Sequence, residues 1–98
     1  MDQITVPGIR RVVSKLGEQY GAERIYLFGS FARGDMTEES DIDLRIAKGR
    51  IRGLELGGQL LDLEDGLDRH VDLIPTGSLD EKFLSAIKTD EVLLYEAS

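Results

Sequence analysis

Apolar residues along the chain recur with two different periods, and the alternation of these periods predicts helices and strands in turn. Between Ile9 and Tyr20 they follow the spacing of a helical face, with Pro7 suited to the first helical position and Gly21 to the stop. A second helical pattern covers 51–67, where three glycines lower the helix propensity by about 1 kcal/mol each. Its core stripe consists of Leu56, Leu60, Leu63 and Leu67.

Four short segments, rich in β-branched and aromatic residues, predict strands at 24–28, 41–47, 71–74 and 92–95. In 41–47 the period is two: Ile42, Leu44 and Ile46 face the core, and Asp41, Asp43 and Arg45 face the other way.

Two further helical segments complete the pattern. SFARG, at 30–34, is typical of one short helical turn, and Ser78 with Glu81 forms a capping-box pattern that predicts a helix through Ile87. The order αβ(α)βαβαβ predicts a single α/β domain over residues 1–98, with a sheet of about four strands and helices packed on it.

Composition narrows the function classes. A hydrophobic fraction of 41% is that of a globular domain, and no apolar run approaches the length of a membrane span or follows a basic leader. The absence of cysteine excludes disulfides and thiolate metal sites and fits a cytoplasmic location. A net charge of −7 argues against direct nucleic-acid binding through a basic face. We therefore expect any phosphate substrate to be bound with the help of a cation.

The segment between Gly29 and Gly34 does not match two common phosphate-binding motifs. A dinucleotide-binding fingerprint requires glycine where this chain has Phe31. A Walker A loop requires lysine and a hydroxyl residue where this chain has Asp35 and Met36. Both interpretations fail at the residues that carry the chemistry.

A third arrangement fits these residues. Gly29 allows the backbone to approach a phosphate, and Ser30 at a helix start offers a hydroxyl and nearby N–H groups. Asp41 and Asp43, two apart on a strand, project to the same side and can bind hard cations through oxygen. The simpler alternatives are an N-cap role for Ser30 and a solvated strand edge for the two aspartates.

The same residues resemble a known family. Gly29-Ser30, ten intervening residues and Asp41-Ile42-Asp43 are similar to the G-S-x10-D-x-D signature of the minimal nucleotidyltransferases, in the polymerase-β-like nucleotidyltransferase superfamily. Arg33 and Gly34 also match the family's G-S-x-A-R-G form, and the resemblance covers nearly the whole chain. It implies a nucleotidyltransferase-type fold with a mixed sheet.

The resemblance also implies the reaction and its residues. The family has a third carboxylate on the strand after the crossover helix, and HVDLIP supplies Asp72, which can also activate the attacking hydroxyl. The implied activity transfers AMP from ATP to a hydroxyl and uses two Mg²⁺ ions. The implied metal ligands and catalytic residues are Asp41, Asp43 and Asp72, and the implied nucleotide-binding residues are Gly29, Ser30 and Arg33.

For three other polar residues the sequence allows two roles each. Arg33 either contacts phosphate or pairs with a nearby acid, and Arg45 either joins the carboxylate face or forms an ion pair that orients Asp43. His70 shares a strand face with Asp72 and is either structural or part of the site. The acidic run at 62–68 is expected to be a solvated helix face.

Small nucleotidyltransferases of this kind resemble the antitoxins of HEPN/MNT toxin–antitoxin systems. This resemblance implies a HEPN ribonuclease toxin as protein partner, a tyrosine of that toxin as the acceptor of AMP, and a hetero-oligomer. We expect a short chain to need such a partner, and Leu54 and Leu61, off the core stripe, are either its contact surface or merely exposed leucines. Two alternatives are a small-molecule nucleotidyltransferase of the aminoglycoside type and an antitoxin that binds with an idle site.

Overall fold

The computed structural model describes residues 4–98 and has the predicted element order. The helices are α1 (Val6–Tyr20), α2 (Ser30–Arg33), α3 (Gly53–Leu67) and α4 (Glu81–Lys88), with a 3₁₀ turn at Thr76–Ser78. The strands are β1 (Arg24–Phe28), β2 (Ile42–Ala47), β3 (Val71–Pro75) and β4 (Val92–Glu96).

The four strands form one mixed sheet in the order β3-β2-β1-β4. The β2–β3 pair is parallel, whereas β1 pairs antiparallel with both β2 and β4. A parallel pair needs a crossover connection, and α3 supplies it between β2 and β3. The starts of β2 and β3 therefore lie side by side.

The core lies between the sheet and the two long helices. Ile42, Leu44 and Ile46 are fully buried, as the period of two predicts, and Leu63 of α3 and Val13 of α1 pack against the same cluster. The opposite sheet face carries polar residues. Burying the apolar face of each element against the others is what holds helices and sheet together.

The helix ends follow the predicted signals in one case and depart from them in another. Thr5 caps α1 by accepting a hydrogen bond from the N–H of Gly8, and Gly21 ends it with a positive φ of 82°. The predicted capping box at Ser78 is wrong. Ser78 lies in the 3₁₀ turn after β3, Leu79 is extended, and Asp80 caps α4 instead by accepting from the N–H of Phe83. No helix within residues 4–98 has the length and apolar character required to span a membrane.

Candidate active site

The turn between β1 and α2 forms one wall of the site. β1 ends at Phe28, Gly29 adopts a φ of +76°, and α2 begins at Ser30. A Cβ atom at position 29 would overlap the Asp43 Oδ2 atom. Only glycine therefore satisfies both the positive φ and the close approach of the Asp43 carboxylate.

Asp43 and Asp72 are directly opposed on the two parallel strands β2 and β3. Register partners on adjacent strands point to the same sheet face, so the two carboxyl groups lie together. Burial, then a hydrogen bond with Asp72 and the charges of Asp72 and Asp41, raise the pKa of Asp43 to about 6. A carboxylate in this position favours a proton or a cation as its neighbour.

Asp41 joins the group from the residue just before β2. One oxygen each of Asp41 and Asp72 and one ring nitrogen of His70 lie within 4.8 Å of one another. Asp72 therefore connects Asp43 on one side with Asp41 and His70 on the other. The three acids predicted from the motif converge on one face of the sheet, beside the Gly29–Ser30 turn.

His70 connects this group to α3. Its Nδ1 atom lies 3.0 Å from Glu64 Oε2, and its Nε2 atom lies 3.3 Å from Asp72 Oδ1. Partial desolvation lowers the pKa of His70, but the charges of Asp41, Asp72 and Glu64 outweigh it and raise the pKa overall. Glu64 also accepts a hydrogen bond of 3.0 Å from the N–H of Val71. The expectation of a purely solvated acidic helix face is therefore wrong for Glu64, which supports the start of β3.

The two candidate arginines occupy different environments. Arg33 lies at the end of α2 with its Nε 3.2 Å from Asp35 Oδ2, and it lines the same cleft as Ser30. Arg45 is buried, pairs with Glu91 at 2.6 Å and stacks 3.9 Å over the Tyr26 ring. Arg45 thus forms an ion pair, but its partner is Glu91 rather than Asp43.

Arg69 is a residue of the site that sequence reasoning missed. Its Nη1 atom donates to the backbone oxygens of Glu38 (3.1 Å) and Ser40 (2.8 Å), and its guanidinium lies 5.4 Å from the centre of the Phe31 ring. These contacts hold the loop that leads into Asp41. No motif marks Arg69, because its partners are backbone atoms about thirty residues away in sequence.

A cleft of about 470 Å³ opens beside Asp43, between α2 and α4. Gly29, Ser30, Arg33 and Asp43 line one side, Phe83 and Ile87 of α4 line the other, and Asp90 lies just after α4. This volume is within the range of small-molecule sites.

The donor set fits a hard divalent cation. Asp41 and Asp72 offer carboxylate oxygens beside His70, and Asp43 adds a third carboxyl group whose pKa is raised by burial first and then by Asp72 and Asp41, so a cation would stabilise its charged form. A hydroxyl at a helix start beside them suits the phosphates of a nucleotide.

The fold and this site together define a nucleotidyltransferase, and comparison with known proteins agrees. The model of the family described as polymerase beta, nucleotidyltransferase, matches residues 11–98, so the chain belongs to that family. The prediction from the Gly-Ser and Asp-x-Asp motif is confirmed at the level of family, fold and enzyme class.

Individual relatives and solved structures resemble this chain over most of its length. A predicted protein adenylyltransferase of Methanocaldococcus jannaschii is 34% identical over 91 residues, which span 89% of this chain and 89% of that protein. The solved structure of a predicted minimal nucleotidyltransferase matches with a TM-score of 0.80 and 28% identity, over 94% of this chain and 98% of the other. A complex of the tri-AMPylated Shewanella oneidensis HEPN toxin with MNT antitoxin matches with a TM-score of 0.72 and 21% identity, over 95% and 74% of the two chains, and so shares the fold.

Proposed function

We propose that this nucleotidyltransferase is a protein adenylyltransferase that transfers AMP from MgATP to a hydroxyl of a HEPN-type ribonuclease toxin and thereby acts as its antitoxin. The protein adenylyltransferase relative and the fold shared with an MNT antitoxin in complex with an AMPylated toxin support this proposal. The proposed setting is the cytoplasm, in a hetero-oligomer with the toxin and without direct contact to nucleic acid.

One observation carries the proposal: Asp43 and Asp72 are paired in register on the face that meets the Gly29–Ser30 turn. Acids on opposite faces of the sheet could not share a cation. Asp43 lines the cleft with Ser30 and Arg33, and the carboxyl groups of Asp72 and Asp41 lie beside Asp43, so the proposed ligands and phosphate-binding residues are neighbours. The proposed metal ligands are Asp41, Asp43 and Asp72, for two Mg²⁺ ions.

The chemistry is the displacement of pyrophosphate by a hydroxyl. The acceptor oxygen forms a bond to the α-phosphorus, the bond from that phosphorus to the bridging oxygen breaks, and pyrophosphate leaves. Mg²⁺ held by these carboxylates would neutralise phosphate charge and would lower the pKa of the acceptor hydroxyl.

The residues of the site have different roles in this reaction. Ser30 and the N–H groups at the start of α2 hold the β- and γ-phosphates, and Arg33 adds a positive charge at the same side of the cleft. Asp72 is half-exposed and accepts the proton of the hydroxyl. Arg69 fixes the loop before Asp41, and Glu64 fixes the start of β3 before Asp72.

The protein acceptor needs a surface on which to dock. Leu54 and Leu61 of α3 are 95% and 68% exposed, as their position off the core stripe predicts. An exposed pair of leucines on one helix is suited to contact with another protein.

The test uses the purified chain, Mg²⁺, ATP labelled at the α-phosphate and the HEPN protein encoded beside it. We expect label on the toxin, loss of its ribonuclease activity, and no label with the Asp41→Ala/Asp43→Ala variant. Glu18→Ala, at an exposed position of α1, is the matched control and should transfer label normally. A toxin that stays unlabelled and yet is neutralised would contradict the proposal and support simple binding.

A further inference from the structure

The apolar side of the cleft is formed by a helix that buries none of its own residues. α4 has eight residues, and its apolar members Phe83, Ala86 and Ile87 line the cleft without being covered by the core. Phe83 remains 43% exposed. A helix normally packs its apolar side against other elements, so this surface is suited to a further apolar group.

Phe83 is held in place although it is exposed. Its ring makes an edge-to-face contact with Phe28, with ring centres 6.2 Å apart and planes at 86°. Phe28 is buried at the end of β1, directly before Gly29. The aromatic surface is therefore fixed relative to the phosphate-binding turn.

A contact beyond the end of α4 also holds this wall to the sheet. Glu91 forms a buried, two-point ion pair with Arg45 of β2, through bonds of 2.6 and 3.0 Å. The wall is thus positioned by β1 and β2, the same strands that carry Gly29 and Asp43.

The two sides of the cleft require a ligand with two different ends. The side with Ser30, Arg33 and Asp43 suits a charged, cation-bound group, and the side with Phe28 and Phe83 suits a flat apolar group. A nucleoside triphosphate has both ends, and base stacking on an aromatic side chain is a common way to bind its base.

We propose that Phe83, supported by Phe28, is the platform on which the nucleobase of the donor nucleotide stacks. This inference rests on the proposed function only in that the donor is a nucleoside triphosphate. Stacking on one aromatic residue contributes roughly a 5- to 150-fold gain in affinity.

The test compares a ligand that has a base with one that lacks it. Binding of a non-hydrolysable ATP analogue and of tripolyphosphate, each with Mg²⁺, is measured by calorimetry for the wild type, Phe83→Ala and Phe83→Trp. We expect Phe83→Ala to weaken binding of the ATP analogue roughly 5- to 150-fold and to leave tripolyphosphate unchanged. Phe83→Trp should bind the analogue as tightly as the wild type or more tightly.

Leu93→Ala is the matched control, because Leu93 on β4 is 42% exposed and does not line the cleft. Thermal unfolding of each variant verifies the fold, and Phe83→Leu, which keeps the bulk but not the ring, should behave like Phe83→Ala. Equal effects of Phe83→Ala on both ligands, no effect on either, or full binding by Phe83→Leu would overturn the proposal. The assay contains no acceptor protein, so a chain that binds ATP in this way but never labels a toxin would contradict the proposed function alone.

Discussion

Replacing Asp43 with asparagine is expected to stabilise the metal-free protein while it removes a proposed metal ligand. In the folded chain the Asp43 carboxyl is partly buried, lies close against Gly29 and faces the carboxyl groups of Asp72 and Asp41. Asparagine has nearly the same shape and carries no charge. Its amide can also donate a hydrogen bond to Asp72.

The magnitude follows from the pKa. A rise from 3.8 to about 6 corresponds to about 3 kcal/mol of cost for the charged form. Because the group is only partly buried, we expect a gain in the free energy of unfolding of about 1–3 kcal/mol for Asp43→Asn at pH 8. Between pH 3.8 and about 6 the folded chain binds the proton more tightly than the unfolded chain, so the cost appears as the pH rises through this window. Below the window both states are protonated, and the difference between the proteins should disappear.

Urea unfolding in the presence of a chelator, repeated from pH 3.5 to pH 8, measures this effect. Asp65→Asn, at an exposed site on α3, is the control and should change the stability by less than about 0.5 kcal/mol. Addition of Mg²⁺ should stabilise the wild type and should stabilise Asp43→Asn less, because a ligand stabilises the state that binds it.

A variant that is equally stable or less stable than the wild type at pH 8 without metal would refute the reasoning. So would a stability difference that persists unchanged at pH 3.5. The first result would mean that contacts within the protein compensate the carboxylate, and the second that the difference arises from packing or hydrogen bonding and not from the charge.

Three further predictions follow from other features of the molecule. Gly29→Ala should lose AMP transfer and more than about 1 kcal/mol of stability, because its Cβ would overlap Asp43 and because a φ of 76° with a ψ of −153° is open essentially only to glycine. Gly34→Ala, at a positive φ in the left-handed helical region with open space around it, is the control without an overlap, and equal effects of the two substitutions on activity would contradict the argument. Gln59→Leu should raise the free energy of unfolding, measured with urea, by about 1–3 kcal/mol, because both polar atoms of this fully buried side chain lack a hydrogen-bond partner within residues 4–98. A loss of stability would contradict this. Arg69→Ala should lower kcat and raise the Mg²⁺ concentration needed for half-maximal activity, because it releases the loop before Asp41. Arg69→Lys should recover part of the activity, and an unchanged Mg²⁺ dependence in Arg69→Ala would count against this role.

The sequence alone predicted the element order and the pair Asp41 and Asp43 from local patterns, and it predicted Asp72 through the resemblance to a family. The period of two in β2 placed Asp41 and Asp43 on one face, and the spacing from Gly29-Ser30 marked the family. The prediction from sequence was wrong at the start of α4, where a turn and a helix cap were both possible. At Ser78 the turn after β3 displaced the helix start to Asp80, and the capping-box pattern had no means of showing this.

Only the tertiary structure decided how the site is supported. The partners of Glu64, Arg69 and Arg45 lie on other elements of the fold. Glu64 contacts the N–H of Val71 and the ring of His70 at the start of β3, Arg69 contacts carbonyl groups of the loop before β2, and Arg45 pairs with Glu91 beyond α4. The raised pKa of Asp43 likewise arises from burial and from Asp72 on another strand. Periodicity and motif spacing are properties of neighbours along the chain, whereas burial, register and charge proximity exist only after the chain has folded. The chemistry of the site could therefore be read from the residues, but its geometry and electrostatics could not.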